Sequence, residues 1–140
     1  MKTTFYILVL MLSTLSCNSD DDTPQNSEPT LNGSWSLVNV TGGLAGVDDD
    51  FEIGLIIWDF NQDNLELTVT NNNTANVIYD GLSSGTYDYE VLSTTGEDAY
   101  LVIHNFGINH EIITLNASQL VLDEGVAADG FLLTFSRSSF

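Results

Sequence analysis

The chain has 140 residues, of which 20 are acidic and 2 basic, a net charge of −18 at pH 7 and a hydrophobic fraction of 43%. So few basic side chains cannot neutralise phosphates, which excludes nucleic acids and anionic lipid headgroups as partners. The apolar content is too high for a disordered acidic tail, and one Cys cannot form an internal disulfide or a thiolate metal cluster. We therefore expect a folded domain without a cofactor.

The N-terminal residues 1–16 have the organisation of a secretory signal. Lys2 is followed by the apolar run 5–12, and the small residue Ser16 precedes Cys17. This run is far shorter than the roughly 20 apolar residues that a membrane-spanning helix requires. The sequence therefore predicts that residues 1–16 are removed by cleavage.

The motif Leu15-Ser16-Cys17 resembles the cleavage site of bacterial lipoproteins, although Thr14 stands where the commonest form of the motif has Leu. The resemblance implies that the Cys17 thiol is acylated, that the mature chain begins there and that the lipid anchors it in a membrane. Two or three acyl chains, at about 0.8 kcal/mol per buried CH₂, make such an anchor effectively permanent. The alternative is ordinary cleavage that leaves Cys17 free, but an exposed thiol in a secreted chain already calls for modification.

Residues 17–30 are predicted to form a flexible, acidic tether. They contain both prolines of the chain and no large apolar residue, and a coil of this length spans about 20 Å on root-mean-square average. Ser19, Asp20, Asp21 and Asp22 resemble an export signal that carries lipoproteins to the outer face of the outer membrane. The resemblance implies display on the cell surface, whereas the alternative is a general preference for acids in solvated linkers.

Residues 31–140 alternate apolar and polar side chains between turns rich in Gly, Asn and Asp, without a sustained helical period. Short connections favour consecutive antiparallel neighbours, and closure of the sheet removes its exposed edges. The sequence predicts one all-β domain, an antiparallel eight-stranded up-and-down barrel, and the longer segment 72–85 has room for an extra strand at 77–79. The eight strands are expected at 34–40, 52–60, 65–71, 86–93, 99–106, 110–115, 119–123 and 131–137.

Two short motifs at the ends of this domain resemble the signature of lipocalins and related calycins. A Gly-x-Trp motif, Gly33 to Trp35, lies on the first predicted strand, and Arg137 lies on the last. The resemblance implies a small lipocalin-like domain in which Arg137 packs over the Trp35 indole and closes one barrel end. Such stacking contributes about 0.5 to 2 kcal/mol. The alternative is a core Trp and a solvated Arg that do not touch.

The barrel interior is the candidate site for a small hydrophobic or amphipathic ligand, because its predicted wall combines aliphatic side chains with two phenols and an indole. An eight-stranded barrel is also just wide enough for side chains to fill it, so a filled barrel that acts as a surface interaction module is the alternative. The large inward aromatic side chains favour filling. The predicted wall consists of Ile56, Trp58, Leu67, Val69, Tyr87, Tyr89, Val102 and Leu133.

No residue pattern predicts a metal site. Asp59, Asn61 and Asp63 have the first spacings of a calcium loop, but the glycine and the final acid of such a loop are missing. A hairpin turn explains these residues better. The acidic residues of 48–52 are expected to lie in a solvated loop.

No residue pattern predicts catalysis either. His104 and His110 lie on neighbouring predicted strands, but spacing places no third ligand and no activated nucleophile beside them. A fold alone carries no chemistry, so a hydrolase has no support from these residues. We expect a protein that is not an enzyme.

Overall fold

The computed structural model describes residues 29–95, 98–107 and 109–138. The predicted signal segment 1–16, Cys17 and the export motif 19–22 lie outside these described residues. Within them, the structure contains no helix that is both long and apolar enough to cross a membrane.

Nine antiparallel strands and one short 3₁₀ helix form the described part of the domain. Consecutive strands pair with each other from β3 to β9, and β1 pairs with both β3 and β9. Eight strands therefore close into an up-and-down barrel, and the predicted fold class is confirmed. The elements are β1 (Gly33–Gly42), β2 (Val47–Asp50), β3 (Ile56–Asn61), β4 (Glu66–Asn71), β5 (Gly85–Ser93), β6 (Ala99–Ile103), β7 (Asn109–Leu115), β8 (Gln119–Asp123), the 3₁₀ helix η1 (Val126–Ala128) and β9 (Phe131–Arg137).

The ninth strand, β2, pairs with the second half of β1, on the edge whose first half pairs with β3. Trp58 of β3 lies opposite Trp35 near the start of β1, whereas Asp50 of β2 lies opposite Asn39 further along β1. The intervening residues 51–55 are not part of a strand. The strand predicted over 52–60 is present but begins at Ile56, and a separate strand at 47–50 precedes it. Residues 77–79, where the sequence left room for an extra strand, lie in a loop.

The physical reason for the missed strand is its composition. Three consecutive aspartates have low intrinsic strand propensity, but pairing with β1 compensates for it. The Asn39 amide donates hydrogen bonds of 3.0 Å to the carboxylates of Asp48 and Asp50 on the outer surface. Val47 and Phe51, at the two ends of the acidic run, are buried in the core.

Aromatic side chains fill the interior of the barrel. The ring centroid of Trp58 lies 4.9 Å from that of Phe135 and 6.2 Å from that of Phe60, and the Phe60 centroid lies 5.2 Å from that of Tyr89. All four side chains are almost completely buried. No pocket is present among the described residues. Burial of apolar surface at about 25 cal/mol per Å² makes this packed interior the main source of stability.

The two ends of the barrel differ. The N-terminal end contains the start of β1, the end of β9 and the turns 62–65 and 116–118, while the loop end contains residues 43–46, 72–84, 104–107 and 124–130. The longest of these loops covers the core at the loop end. Its Leu82 side chain is buried, and Gly81 lies against the Trp58 ring so closely that an added Cβ would be 3.5 Å from the indole.

Candidate functional sites at the two barrel ends

Arg137 and Trp35 are in contact at the N-terminal end. The Arg137 guanidinium carbon lies 4.0 Å from the centroid of the Trp35 ring, and the two residues are paired across β1 and β9. The guanidinium donates hydrogen bonds to the carbonyl oxygens of Asn32 and Thr30, at 2.5 and 2.8 Å. Partial burial lowers the pKa of Arg137, but a guanidinium stays charged in proteins. We call this arrangement the Arg137 clamp.

Gly33 makes room for the clamp. Its φ angle of 100° is in the region that favours glycine, and an added Cβ would lie 3.2 Å from the Arg137 Nη1 atom. The indole of Trp35 adds a second link, because its Nε1 donates a 2.8 Å hydrogen bond to the carbonyl of Leu31. Residues 30–32, which precede β1, are therefore held across the N-terminal end.

We predict that Arg137→Ala lowers the free energy of unfolding by about 1 to 3 kcal/mol, because it removes the stacking on Trp35 and uncovers apolar surface. An exposed ion pair would change it by only about 0 to 1 kcal/mol. The effect should be non-additive with Trp35→Phe in a double-mutant cycle measured by urea unfolding.

Arg137→Lys is the control for charge, since lysine keeps the positive charge but lacks the planar fork that contacts both the indole and two carbonyls. It should lose part of the stability. A coupling energy of zero between positions 35 and 137 would show that the contact does not contribute to closure.

The structure places most of the predicted wall residues inside the barrel. Ile56, Trp58, Leu67, Val69, Tyr89 and Leu133 belong to the buried core, and Tyr87 packs against it. Val102 is the exception, because its neighbours Leu101 and Ile103 are buried and alternate residues of a strand face opposite sides. The prediction that Val102 lines the interior is therefore wrong.

The error at Val102 has a local cause. Both faces of β6 carry apolar side chains, so the alternation does not show which face is buried. Strand pairing decides it, since Ile103 lies opposite the buried Tyr89 and Leu101 lies opposite the buried His110.

A buried polar cluster lies at the loop end. His110 is 1% exposed, and its Nε2 lies 2.7 Å from Oε1 of Glu124, whose side chain is 4% exposed. The geometry of this contact is not that of a hydrogen bond. The same Glu124 oxygen accepts a 2.8 Å hydrogen bond from the Tyr79 hydroxyl. The edge of the His110 ring also contacts Trp58, with 6.1 Å between the ring centroids.

The cluster connects two loops at this end. Tyr79 lies in the loop 72–84, and Glu124 begins the loop 124–130. Burial is the main cause that raises the pKa of Tyr79, and the charge of Glu124 and its hydrogen bond raise it further. Because Tyr79 is bonded to Glu124 beside the buried His110, the cluster holds the loop 72–84 against the core.

Tyr79 and Glu124 were not among the candidate residues predicted from the sequence. His104, the predicted neighbour of His110, is half-exposed and lies 3.8 Å from Glu90 instead. One signal could have indicated the cluster: a histidine at an inward position of a strand requires a buried polar partner. The partner itself comes from a different loop, so spacing along the chain could not identify it.

We predict that Tyr79 contributes to loss of stability at alkaline pH. Since the pKa of Tyr79 in the folded chain is above its ordinary value of 10.0, the unfolded chain releases this proton first as the pH rises. The free energy of unfolding should therefore fall above about pH 10. In Tyr79→Phe this fall should be smaller, as measured by urea unfolding between pH 9 and pH 11.

The same series at pH 7 tests the hydrogen bond. Tyr79→Phe leaves the Glu124 carboxylate without this donor, so it should lower the free energy of unfolding by about 1 to 3 kcal/mol. Identical pH slopes for Tyr79→Phe and the parent chain would contradict a role for this phenol, because burial raises the pKa of Tyr89 in both proteins equally.

The acidic residues form no metal centre in the described structure. Among residues 29–95, 98–107 and 109–138, no group of three or more His, Cys, Asp or Glu side chains is arranged to hold a metal ion. Asp59 accepts a hydrogen bond from Ser34, and the Asn61 side chain accepts one from the backbone N–H of Asp63 in the turn between β3 and β4. Residues 48–50 lie on β2 and not in the loop that the sequence predicted.

Comparison of the chain with protein-family models, curated proteins and solved structures found no match. The functional interpretation therefore depends on the geometry of the molecule. A closed eight-stranded antiparallel barrel, with Gly33, Trp35 and Arg137 at one end, is consistent with a lipocalin-like fold.

Proposed function

We propose that this chain is a lipid-anchored surface protein of a bacterial outer membrane, and that its filled barrel is a rigid interaction module rather than an enzyme. The observation that carries the proposal is the division of the barrel into two unlike ends. The Arg137 clamp holds Thr30 and Asn32 at one end, and four loops lie at the other.

The clamp determines which end is nearer to the proposed lipid. Residues 17–30 connect Cys17 to the first strand, and Arg137 holds the last part of this connection against the N-terminal end. A lipid on Cys17 therefore attaches the barrel through that end. The loop end is left on the side away from the attachment.

The packed interior supports an interaction module more than a ligand carrier. Trp58, Phe60, Tyr89 and Phe135 occupy the centre, and Leu82 of the loop 72–84 covers it. A small-molecule site normally is a concave cavity of several hundred Å³, whereas the described part of this barrel has no pocket. Recognition by the outer surface needs no such cavity.

A second candidate function, binding of a small amphipathic ligand inside the barrel, has one specific observation in its favour. Among the described residues, the buried atoms Trp58 Nε1, Tyr89 OH and His110 Nδ1 have no hydrogen-bond partner. Each unsatisfied buried polar group costs about 1 to 3 kcal/mol. A ligand with polar atoms could satisfy these groups if the loop 72–84 moved aside.

We expect Cys17→Ala to abolish the anchor. In a Gram-negative host, the parent chain should partition into the detergent phase, whereas the variant should be released in soluble form or remain unprocessed, because it lacks the thiol that carries the lipid. Ser16→Ala is the matched control, since it keeps a small residue before the cysteine. Equal partitioning of Cys17→Ala and the parent would refute the anchor.

Protease treatment of intact cells separates display from anchoring. Replacement of Asp20, Asp21 and Asp22 by Ala should leave the chain in the detergent phase but protect it from added protease. If this variant and the parent are digested equally, residues 20–22 are not the export signal. That outcome does not affect the lipid anchor, which is tested by Cys17→Ala.

Native mass spectrometry of the mature chain, purified in detergent from its own host, distinguishes the two candidate functions. If the barrel is an interaction module, the measured mass should equal that of the lipidated chain, with no bound small molecule. An additional mass of a few hundred daltons that is lost in Tyr89→Phe or His110→Ala would favour the ligand carrier. Tyr87→Phe is the control, because its hydroxyl already donates to the Ser83 carbonyl.

A further inference from the structure

Three exposed aliphatic side chains lie at the loop end, each on a different loop. Leu44 is 88% exposed, Ile78 is 67% exposed and Val126 is 40% exposed. They belong to residues 43–46, to the loop 72–84 and to the helix η1, respectively. We call this set the loop-end patch. Single exposed apolar residues are common, but a group on neighbouring loops indicates a contact surface.

Contacts between the three loops hold the members of the patch at one end of the barrel. The backbone N–H of Gly43, next to Leu44, donates a 2.9 Å hydrogen bond to the carbonyl of Gly130. The Phe131 ring packs against Gly43 and stacks on Tyr79, with 4.5 Å between ring centroids. Since Tyr79 follows Ile78 and Gly43 precedes Leu44, the loops that carry Leu44 and Ile78 meet at one pair of stacked rings.

Val126, the third member of the patch, packs against the end of β1. An added Cβ on Gly42 would lie 3.3 Å from the Cγ2 atom of Val126, which places this side chain beside the end of β1. The Tyr79 hydroxyl is fixed by its hydrogen bond to Glu124, two residues before Val126. The patch is thus presented on loops that are bonded to one another, so binding would cost little conformational entropy.

The electrostatic surroundings limit what can bind the patch. Asp80, Asp123 and Asp129 lie on or beside the same loops. The whole chain has two basic residues, of which Lys2 lies in the predicted signal and Arg137 lies in the clamp at the opposite end. A second copy or an anionic membrane would bring like charges together, whereas a cationic partner would be attracted.

We propose that the loop-end patch binds a cationic protein segment in which aliphatic side chains alternate with Lys or Arg. The aliphatic groups would cover Leu44, Ile78 and Val126, and the basic groups would pair with the surrounding carboxylates. This inference rests on the proposed interaction module and adds its binding surface and the chemistry of its partner.

Fluorescence anisotropy with three synthetic peptides tests the inference at 0.15 M salt. The mature lipidated chain is placed in phosphatidylcholine nanodiscs, and binding to empty nanodiscs is subtracted. A peptide of alternating Lys and Leu should bind at least about tenfold more tightly than either alternating Lys and Ser or alternating Glu and Leu. Equal binding of the Lys-Leu and Lys-Ser peptides would reduce the interaction to net charge and overturn the proposal.

Variants locate the binding surface. Leu44→Ser and Ile78→Ser, measured singly and together, should weaken the Lys-Leu peptide, by about tenfold for the double variant. Ile113→Ser is the matched control, because Ile113 is an exposed aliphatic residue on β7, in the barrel wall. Since all three residues are exposed, their replacement should leave the fold intact, as circular dichroism would verify. Equal losses at the patch and at Ile113 would overturn the assignment.

Analytical ultracentrifugation tests whether a second copy of the chain occupies the patch. Self-association of the parent chain that disappears in the Leu44→Ser, Ile78→Ser variant would assign the patch to a second copy and overturn the cationic partner. The anchor is judged separately by Cys17→Ala, and the filled interior by native mass spectrometry. If the Lys-Leu peptide does not bind selectively while the other two experiments give their expected results, the patch assignment is wrong. The proposed function is then unaffected.

Discussion

Closure of the sheet through β1 and β9 is the constraint on which the rest of this structure depends. These strands come from opposite ends of the domain, and they pair from Trp35 opposite Arg137 to Gly42 opposite Phe131. Without that pairing, each would present an unpaired edge, and the buried aromatic rings would lose one wall. Contacts between residues so distant in the chain also make loop closure entropically costly, which generally slows folding. The Arg137 clamp and the contacts of Phe131 lie at the two ends of this pairing.

Contacts with two other chain segments explain why a carboxylate is tolerated near the core. Removal of an ionised carboxylate from water costs several kcal/mol unless other groups compensate. Glu124 lies 2.7 Å from His110 and accepts a hydrogen bond from Tyr79, so three chain segments must be in place at once to surround it. A cluster of this kind favours one arrangement of the loops over others, because each alternative arrangement leaves a buried polar group without its partner.

Much of the fold could be predicted from the sequence because the strands differ chemically on their two faces. Leu67 and Val69 alternate with polar residues on β4, and the structure buries both of them. The contact of Arg137 with Trp35 was predictable for a different reason, since the Gly-x-Trp motif and the basic residue on the last strand resemble the lipocalin signature, which implies it. Where that contrast between faces is missing, prediction fails: β6 is apolar on both sides, and β2 is a run of aspartates held by Asn39 of another strand.

The buried cluster shows a further limit of sequence analysis. Tyr79, His110 and Glu124 come from three separate segments, and no local pattern connects them. The loop-end patch is similar, because the loops that carry Leu44 and Ile78 are connected only through Phe131 of β9. Properties that belong to one strand can be inferred from its residues, while properties shared by several loops require the closed barrel.

The short strand β2 has a consequence for contacts between copies of this protein. It pairs with β1 alone and forms the margin of the sheet in the described structure. Its Asp48 and Asp50 side chains point outward, and their charge opposes the addition of another strand along this margin. On the proposed lipid anchor, neighbouring copies would reach high local concentrations in the membrane plane, and such a strand would favour lateral separation over the growth of sheets from one molecule to the next.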